Sequence, residues 1–203
     1  KDKLKIDQLV KFGAITPEFG AGFIARFQLA ALRQLRGIEV AGVTSMAGAQ
    51  AFATLAADWG LGEAKVYDTV GELAKHVDCV VICAPNYARV AVVEAIADAV
   101  KAGARLKGVI CEKPLGRNMA EARRLVELAR SADLRTAYFE NQIFMKPVRA
   151  QLAQLEPVRR QMGPLALARS AEEHGGPHEG WFWDPTRRGG VGLCARGWHS
   201  LAV

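Results

Sequence analysis

The sequence has no run approaching the roughly 20 consecutive apolar residues a membrane-spanning helix requires, and residues 1–10 lack the apolar core of a secretion signal. Neither a membrane anchor nor export is expected. Cysteine is scarce. Cys79, Cys83, Cys111 and Cys194 show no C-x-x-C spacing, and three of them sit in strand-like apolar runs. Buried free thiols in a reducing cytoplasm are the expectation. Clustered charge is also missing. Lys and Arg outnumber Asp and Glu by 27 to 21, for a formal net charge of +6, yet the basic residues are scattered, gathering only into doublets such as Arg123-Arg124, Arg159-Arg160 and Arg187-Arg188. A nucleic-acid footprint concentrates cations among aromatic platforms, so no such partner is expected. The excess implies only a weak pull on anionic ligands. Internal repeats and low-complexity segments are absent as well.

What is present is an alternation of short apolar runs and helix-like patterns over the first 140 residues. That alternation predicts an α/β fold with a parallel sheet. Strands are predicted over 10–15, 38–44, 65–67, 79–83, 109–112 and 134–139, although Lys11 and Gly13 make the first a poor one. Between them, Ile24, Phe27, Ala31 and Leu35 recur at helical spacing with Gly37 as a stop. Phe52, Leu55, Ala56 and Trp59 mark a second helix face. Thr69 with Glu72 and Asn118 with Glu121 open two more helices, the latter with Ala122, Leu125, Val126 and Ala129 inward, and residues 87–101 form another. Six strands with helical crossovers is the count of a doubly wound, Rossmann-type dinucleotide-binding domain. The character then changes. Pro147 suits the first turn of a helix carrying Val148, Leu152 and Leu155, and 165–169 reads as a new strand before a Gly-, His- and Trp-rich loop. Residues 1–140 are thus expected to form the Rossmann domain, and 141–203 the start of a second α+β domain, too short to bury a core alone.

Two motifs carry chemistry. Gly20-Ala21-Gly22-Phe23-Ile24-Ala25 is G-x-G-x-x-A ahead of a helix, where backbone N–H groups and the helix N-terminus meet a pyrophosphate. Residues 16–19 separate it from the first strand, so the loop is lengthened or the strand distorted. About 20 residues on, an acidic residue would bind the ribose of NAD. The chain offers Thr44-Ser45-Met46 instead, and NAD or NADP stays open. In the second motif, Val109-Ile110-Cys111-Glu112-Lys113-Pro114, a buried strand ends in a carboxylate, an ammonium and a proline, which places Lys113 on a stiff corner. Ala84-Pro85-Asn86 forms a similar turn after the preceding strand. His174 and His178 stand four residues apart, but Gly175-Gly176-Pro177 rules out the regular helix that would make this a metal-ligand spacing. No metal site is expected.

Taken together, Gly20-Ala21-Gly22-Phe23-Ile24, Ala84-Pro85-Asn86, Cys111-Glu112-Lys113-Pro114-Leu115 and Gly197-Trp198-His199 resemble the Gfo/Idh/MocA oxidoreductases, the group of glucose–fructose oxidoreductase and inositol dehydrogenase. His174-Gly175-Gly176-Pro177-His178, followed by Trp181-Phe182-Trp183-Asp184, resembles a sugar- or cyclitol-dehydrogenase branch. The resemblance implies NAD or NADP as cofactor, with Gly20, Gly22, Phe23, Ile24, Ser45, Ala84, Asn86, Glu112 and Lys113 on it. It implies Lys113 and His199 as the catalytic pair, and His174, His178, Trp183 and Arg187 on a polyol or sugar substrate. It further implies a cis Lys113–Pro114 bond, and a C-terminal sheet domain that in full-length relatives also makes a homo-oligomer. The sequence departs from the family pattern at Ala195, where an aspartate is usual. Arg196 lies three residues before His199, and Gln28 and Arg89 replace common histidines. A catalytically impaired NAD(P)-binding homologue is the alternative reading.

Overall fold

The computed structural model describes residues 10–15, 23–167, 184 and 186. By its internal contacts the chain divides into two compact units, Lys1–Tyr138 and Phe139–Val203. In the first, strands β1 (Val10–Ile15), β2 (Ile38–Thr44), β3 (Lys65–Val66), β4 (Cys79–Ile82), β5 (Gly108–Glu112) and β6 (Arg135–Phe139) join in the order β3-β2-β1-β4-β5-β6. The β1–β2, β1–β4, β2–β3 and β4–β5 ladders are all parallel. The crossovers carry helices α1 (Phe23–Leu32), α2 (Ala49–Asp58), α3 (Val70–Ala74), α4 (Arg89–Lys101) and α5 (Met119–Ser131). This is the doubly wound Rossmann fold, with its order reversing between β1 and β4.

Central strands of such a sheet are covered on both faces and so read as unbroken apolar runs. β4 (Cys-Val-Val-Ile) and β5 (Gly-Val-Ile-Cys-Glu) do so, and Val80, Val81, Ile82, Val109 and Cys111 are all buried. The core beneath them joins Ile15, Leu73, Val93, Ile96, Leu125 and Leu128. β1 is irregular as its composition suggested: its register with β2 slips between Phe12 and Gly13. The glycines have a steric reason. A Cβ on Gly13 or Gly42 would stand 2.9 or 2.5 Å from the side chain of Leu73, which is fully buried over the sheet.

Both predicted N-caps form, with the Thr69 hydroxyl accepting from the Glu72 N–H at 3.2 Å and the Asn118 side chain from the Glu121 N–H at 3.0 Å. Two predicted faces need correction. On α1 the buried residues are Ala25 and Leu29, while Phe27 and Leu35 are exposed and the helix stops at Leu32, short of Gly37. The buried stripe lies about one residue round the helix from the one the spacing predicts. On α5, Leu128 is buried in place of Val126. β3 is one residue shorter than expected, and a 3-10 turn at Asn86–Ala88 precedes α4. In the second unit, α6 (Lys146–Met162) starts with Pro147 in its first turn, and Leu152 and Leu155 are exposed. Residues 165–167 are not a strand, and the rest of that expected strand lies outside the described residues. Among the described residues no helix is long and apolar enough to cross a membrane.

At the amino ends of the strands, one residue ties three of them. Asp78 exchanges backbone and side-chain bonds with Lys11 of β1 (2.8 and 3.0 Å), accepts the Lys107 N–H at 2.8 Å, and pairs with the Lys107 ammonium at 2.8 Å. Partial burial pushes its carboxyl up, but the Lys107 and Lys11 donors outweigh this and hold it below the usual aspartate range. A carboxyl lowered on folding contributes stability above its unfolded pKa, and that contribution is lost as pH falls through the folded value. We therefore expect Asp78→Ala to cost about 1 kcal/mol or less at neutral pH, given the exposed ammonium. The difference from the parent protein should shrink below about pH 4. Urea melts at pH 7 and pH 3 measure both, and an equal difference at the two values contradicts the assignment.

Candidate functional site

At the carboxyl edge of the sheet, β1, β4 and β5 end level with one another: Ile15 pairs with Ile82, and Ile82 with Cys111. The Cys83 N–H extends the β1 ladder by donating to the Ile15 carbonyl at 3.0 Å. The crevice where strand order reverses opens at such an edge and is where ligands of open α/β sheets bind. Four chain segments reach this edge within the described residues.

The first is the start of α1, with Phe23 as its first residue and Ile24 half-buried behind it. No acidic residue stands in the first turn, so no carboxylate within the helix itself opposes the partial positive charge of its N-terminus. The second is Ser45, just past β2. Its hydroxyl donates to the Ala47 carbonyl at 2.7 Å and accepts the Ala47 N–H at 3.3 Å, a local turn with no carboxylate in it. The third is the turn after β4, where Ala84 and Asn86 are both buried. The fourth is the corner after β5.

That corner is the most heavily braced part of the edge. Glu112 is only 5% exposed, a position a carboxylate tolerates only with partners. One oxygen accepts from the Gln28 side-chain amide of α1 at 2.7 Å, and the other from the Lys113 N–H at 3.0 Å. Arg89, 4% exposed, donates from Nε to the Ala84 carbonyl at 2.9 Å, from one terminal nitrogen to the Glu112 carbonyl, and from the other to the Lys113 carbonyl at 3.2 Å. The Lys113 side chain, by contrast, is exposed at the edge. Lys113–Pro114 is cis. Beyond it, Gly116 is buried, and a Cβ there would stand 2.9 Å from the Glu121 Cβ. Glu121 bonds back to the Arg117 N–H at 2.8 Å and to its guanidinium, so the turn is closed from both sides.

The thiols nearby are inert. Burial pushes Cys83 up to about 12, helped by the Glu112 charge and opposed by Arg89, and burial likewise raises Cys111. Both are protonated at neutral pH and cannot serve as nucleophiles. They are free, as expected from the sequence. Among the described residues the edge therefore offers the exposed Lys113 ammonium, a buried Glu112–Arg89 network whose hydrogen bonds are made within the protein, and a helix whose first turn carries no acid. This set suits an elongated anionic ligand lying across the strand ends. It fits a dinucleotide, with Ile24, Ser45, Ala84, Asn86 and Lys113 available to hold it.

The remaining expected residues, Gly20, Gly22, His174, His178, Trp183, Arg187 and His199, lie outside the described residues. Sequence reasoning missed the parts played by Gln28 and Arg89. Their presence in place of the usual histidines was the only signal, and nothing local indicated that both would converge on Glu112.

The Gln28–Glu112 bond yields a stability prediction. Gln28→Ala leaves a buried carboxylate oxygen without its side-chain donor, for which about 1–3 kcal/mol is typical. Gln28→Glu, which sets a second carboxylate against the first, should lose more at neutral pH than Gln28→Ala. Chemical denaturation of the three proteins ranks them, and equal midpoints would show that the bond contributes nothing.

Residues 19–139 match a family model described as an oxidoreductase family with an NAD-binding Rossmann fold. A curated relative, an uncharacterized protein of Saccharomyces cerevisiae, is 34% identical over 98 residues, which are 47% of this chain and 26% of the relative. Among solved structures, the scyllo-inositol dehydrogenase of Lactobacillus casei is similar with a TM-score of 0.59 at 17% identity, over 75% of this chain and 43% of that one. A super-repressor mutant of Gal80p from Saccharomyces cerevisiae gives 0.61 at 16% identity, over 76% and 40%. At such identities these structures share the fold alone. The chain spans about a quarter of the curated relative and about two fifths of the solved ones.

Proposed function

The chain belongs to the Gfo/Idh/MocA oxidoreductase family, and from that premise we propose that it binds NAD or NADP across the carboxyl edge of its sheet and serves hydride transfer to or from a secondary alcohol of a sugar, cyclitol or related polyol. One observation carries the reading. The first turn of α1, Ser45, the Ala84–Asn86 turn and the Lys113 corner come from four separate crossovers, yet all stand at the edge where the strand order reverses.

The bound nicotinamide supplies the hydride acceptor or donor. The chain's own task is then to bind, orient and move the proton. Lys113 extends an ammonium from a braced backbone and is suited to hold the hydroxyl oxygen while it carries developing negative charge. His199 is suited to take the proton, a contribution of typically ~10²–10⁴-fold when the geometry is right. His174, His178, Trp183 and Arg187 are candidates for gripping the polyol. Gly20 and Gly22 would let the backbone approach the pyrophosphate. The lack of a carboxylate beside Ser45 leaves room for either a ribose hydroxyl or a 2′-phosphate.

A second reading is favoured by the sequence around His199. With Ala195 where the family usually has an aspartate, the sequence lacks at that position the carboxylate that would fix the imidazole tautomer. Arg196, three residues before His199 in the sequence, is a cation that would disfavour the protonated imidazole if the two face each other. This supports a protein that binds the dinucleotide without turnover. Substrate screening with the cofactor separates the two, since both require binding and only the first requires polyol-dependent change in NAD(P)H absorbance.

Fluorescence titration should detect NADH or NADPH binding at millimolar concentration or below, and absence of both overturns the reading of the edge. Ser45→Asp should shift preference towards NAD by roughly tenfold or more, because a carboxylate repels a 2′-phosphate and accepts from a 2′-hydroxyl. The ratio of the two dissociation constants measures this. An unchanged ratio places the adenosine ribose elsewhere.

A further inference from the structure

We propose that Arg89 is the residue that aims Lys113. The geometry is specific. The carbonyl of Glu112 belongs to the peptide plane before the Lys113 Cα, and the carbonyl of Lys113 to the plane after it. Arg89 donates to both, and its Nε donates to Ala84 on the turn that leaves β4. The Lys113 N–H is meanwhile taken by the Glu112 carboxylate. With both flanking planes pinned, the φ and ψ of Lys113 are determined, and with them the direction in which its Cα–Cβ bond leaves the backbone. The side chain stays exposed while its root is fixed.

The start of a helix is an unfavourable place for a buried cation. Arg89 is the first residue of α4, where the helix dipole disfavours positive charge. It is 4% exposed, and among the described residues no ion pair involves it. A buried guanidinium is retained there only by its three carbonyl bonds, whose spread a planar fork can span and a single ammonium cannot. A residue serving merely to dock α4 on β4 needs the Ala84 bond alone. The other two reach across to the neighbouring strand and fall on either side of Lys113, whose side chain is exposed at the edge.

The inference deepens the proposed function, because it gives Lys113 its direction, but its test does not depend on that function. Backbone amide hydrogen exchange, read residue by residue by NMR on the 203-residue chain, compares the parent with Arg89→Ala and Arg89→Lys. In both variants the Lys113 amide should exchange at least about tenfold faster, while Val43 and Val81, in the sheet interior, keep their parental rates. Guanidinium at tens of millimolar should restore Lys113 protection in Arg89→Ala, and sodium chloride at equal ionic strength should not. Unchanged exchange at Lys113, or a uniform acceleration at all three amides, overturns the proposal. If Arg89→Ala does not fold, the comparison of Lys113 with Val81 in Arg89→Lys decides it. Where polyol turnover is found, Arg89→Lys should lower kcat by about tenfold or more with little change in the dinucleotide KM. Failure of the parent to bind NADH would count against the function alone and leave the exchange result standing.

Discussion

Burial of β4 and β5 on both faces is the constraint from which the rest of this domain follows. A strand covered on two sides has no water to solvate a charge along its length, so its interior is restricted to Val, Ile and Cys. Charges are displaced to the two ends, and there they are put to different uses. At the amino ends, Asp78 and Lys107 meet half in solvent and lace β1, β4 and β5 together through backbone bonds. At the carboxyl ends Glu112 and Arg89 are drawn fully inside, and every hydrogen bond they make fixes another part of the edge.

The two ends differ in what they can contribute. Solvent screens the Asp78–Lys107 pair, which makes it a modest brace. The Glu112 and Arg89 groups sit where the effective dielectric is low, and an unmet donor or acceptor there is costly. Such a network tolerates few alternative arrangements. The same low dielectric keeps Cys83 and Cys111 protonated, while the Lys113 side chain of that corner stays exposed. A rigid corner carrying an exposed cation is what a site needs if it is to hold an oxygen whose charge changes during reaction.

Family membership and site geometry meet at this edge. The shared fold extends from the scyllo-inositol dehydrogenase to the super-repressor mutant of Gal80p, and a shared fold does not by itself establish a function. In the proposed function, the choice between turnover and binding alone is assigned to His199, with Ala195 and Arg196 close to it in sequence.

Much of the architecture was legible from residue order alone. Strand and helix alternation, the Thr69 and Asn118 caps, the weakness of β1 and the corner at Lys113 depend on local sterics, capping and apolar periodicity, which short stretches of sequence carry in full. The inward face of α1 was misjudged because Ile24, Phe27, Ala31 and Leu35 form as regular a stripe as Ala25 and Leu29. Only the sheet beneath the helix decides between them. Gln28 and Arg89 were legible as departures, not as parts of a network. Gln28 lies 84 residues from Glu112, and Arg89 lies 23 and 24 from the carbonyls it pins. Bonds of that span leave no periodic trace, since they arise when crossovers bring separate strand ends to one edge. The sequence by itself determined that a charged corner would terminate β5. The tertiary structure decided which charge would be buried, which exposed, and what would hold them there, because desolvation acts only once the strands are packed.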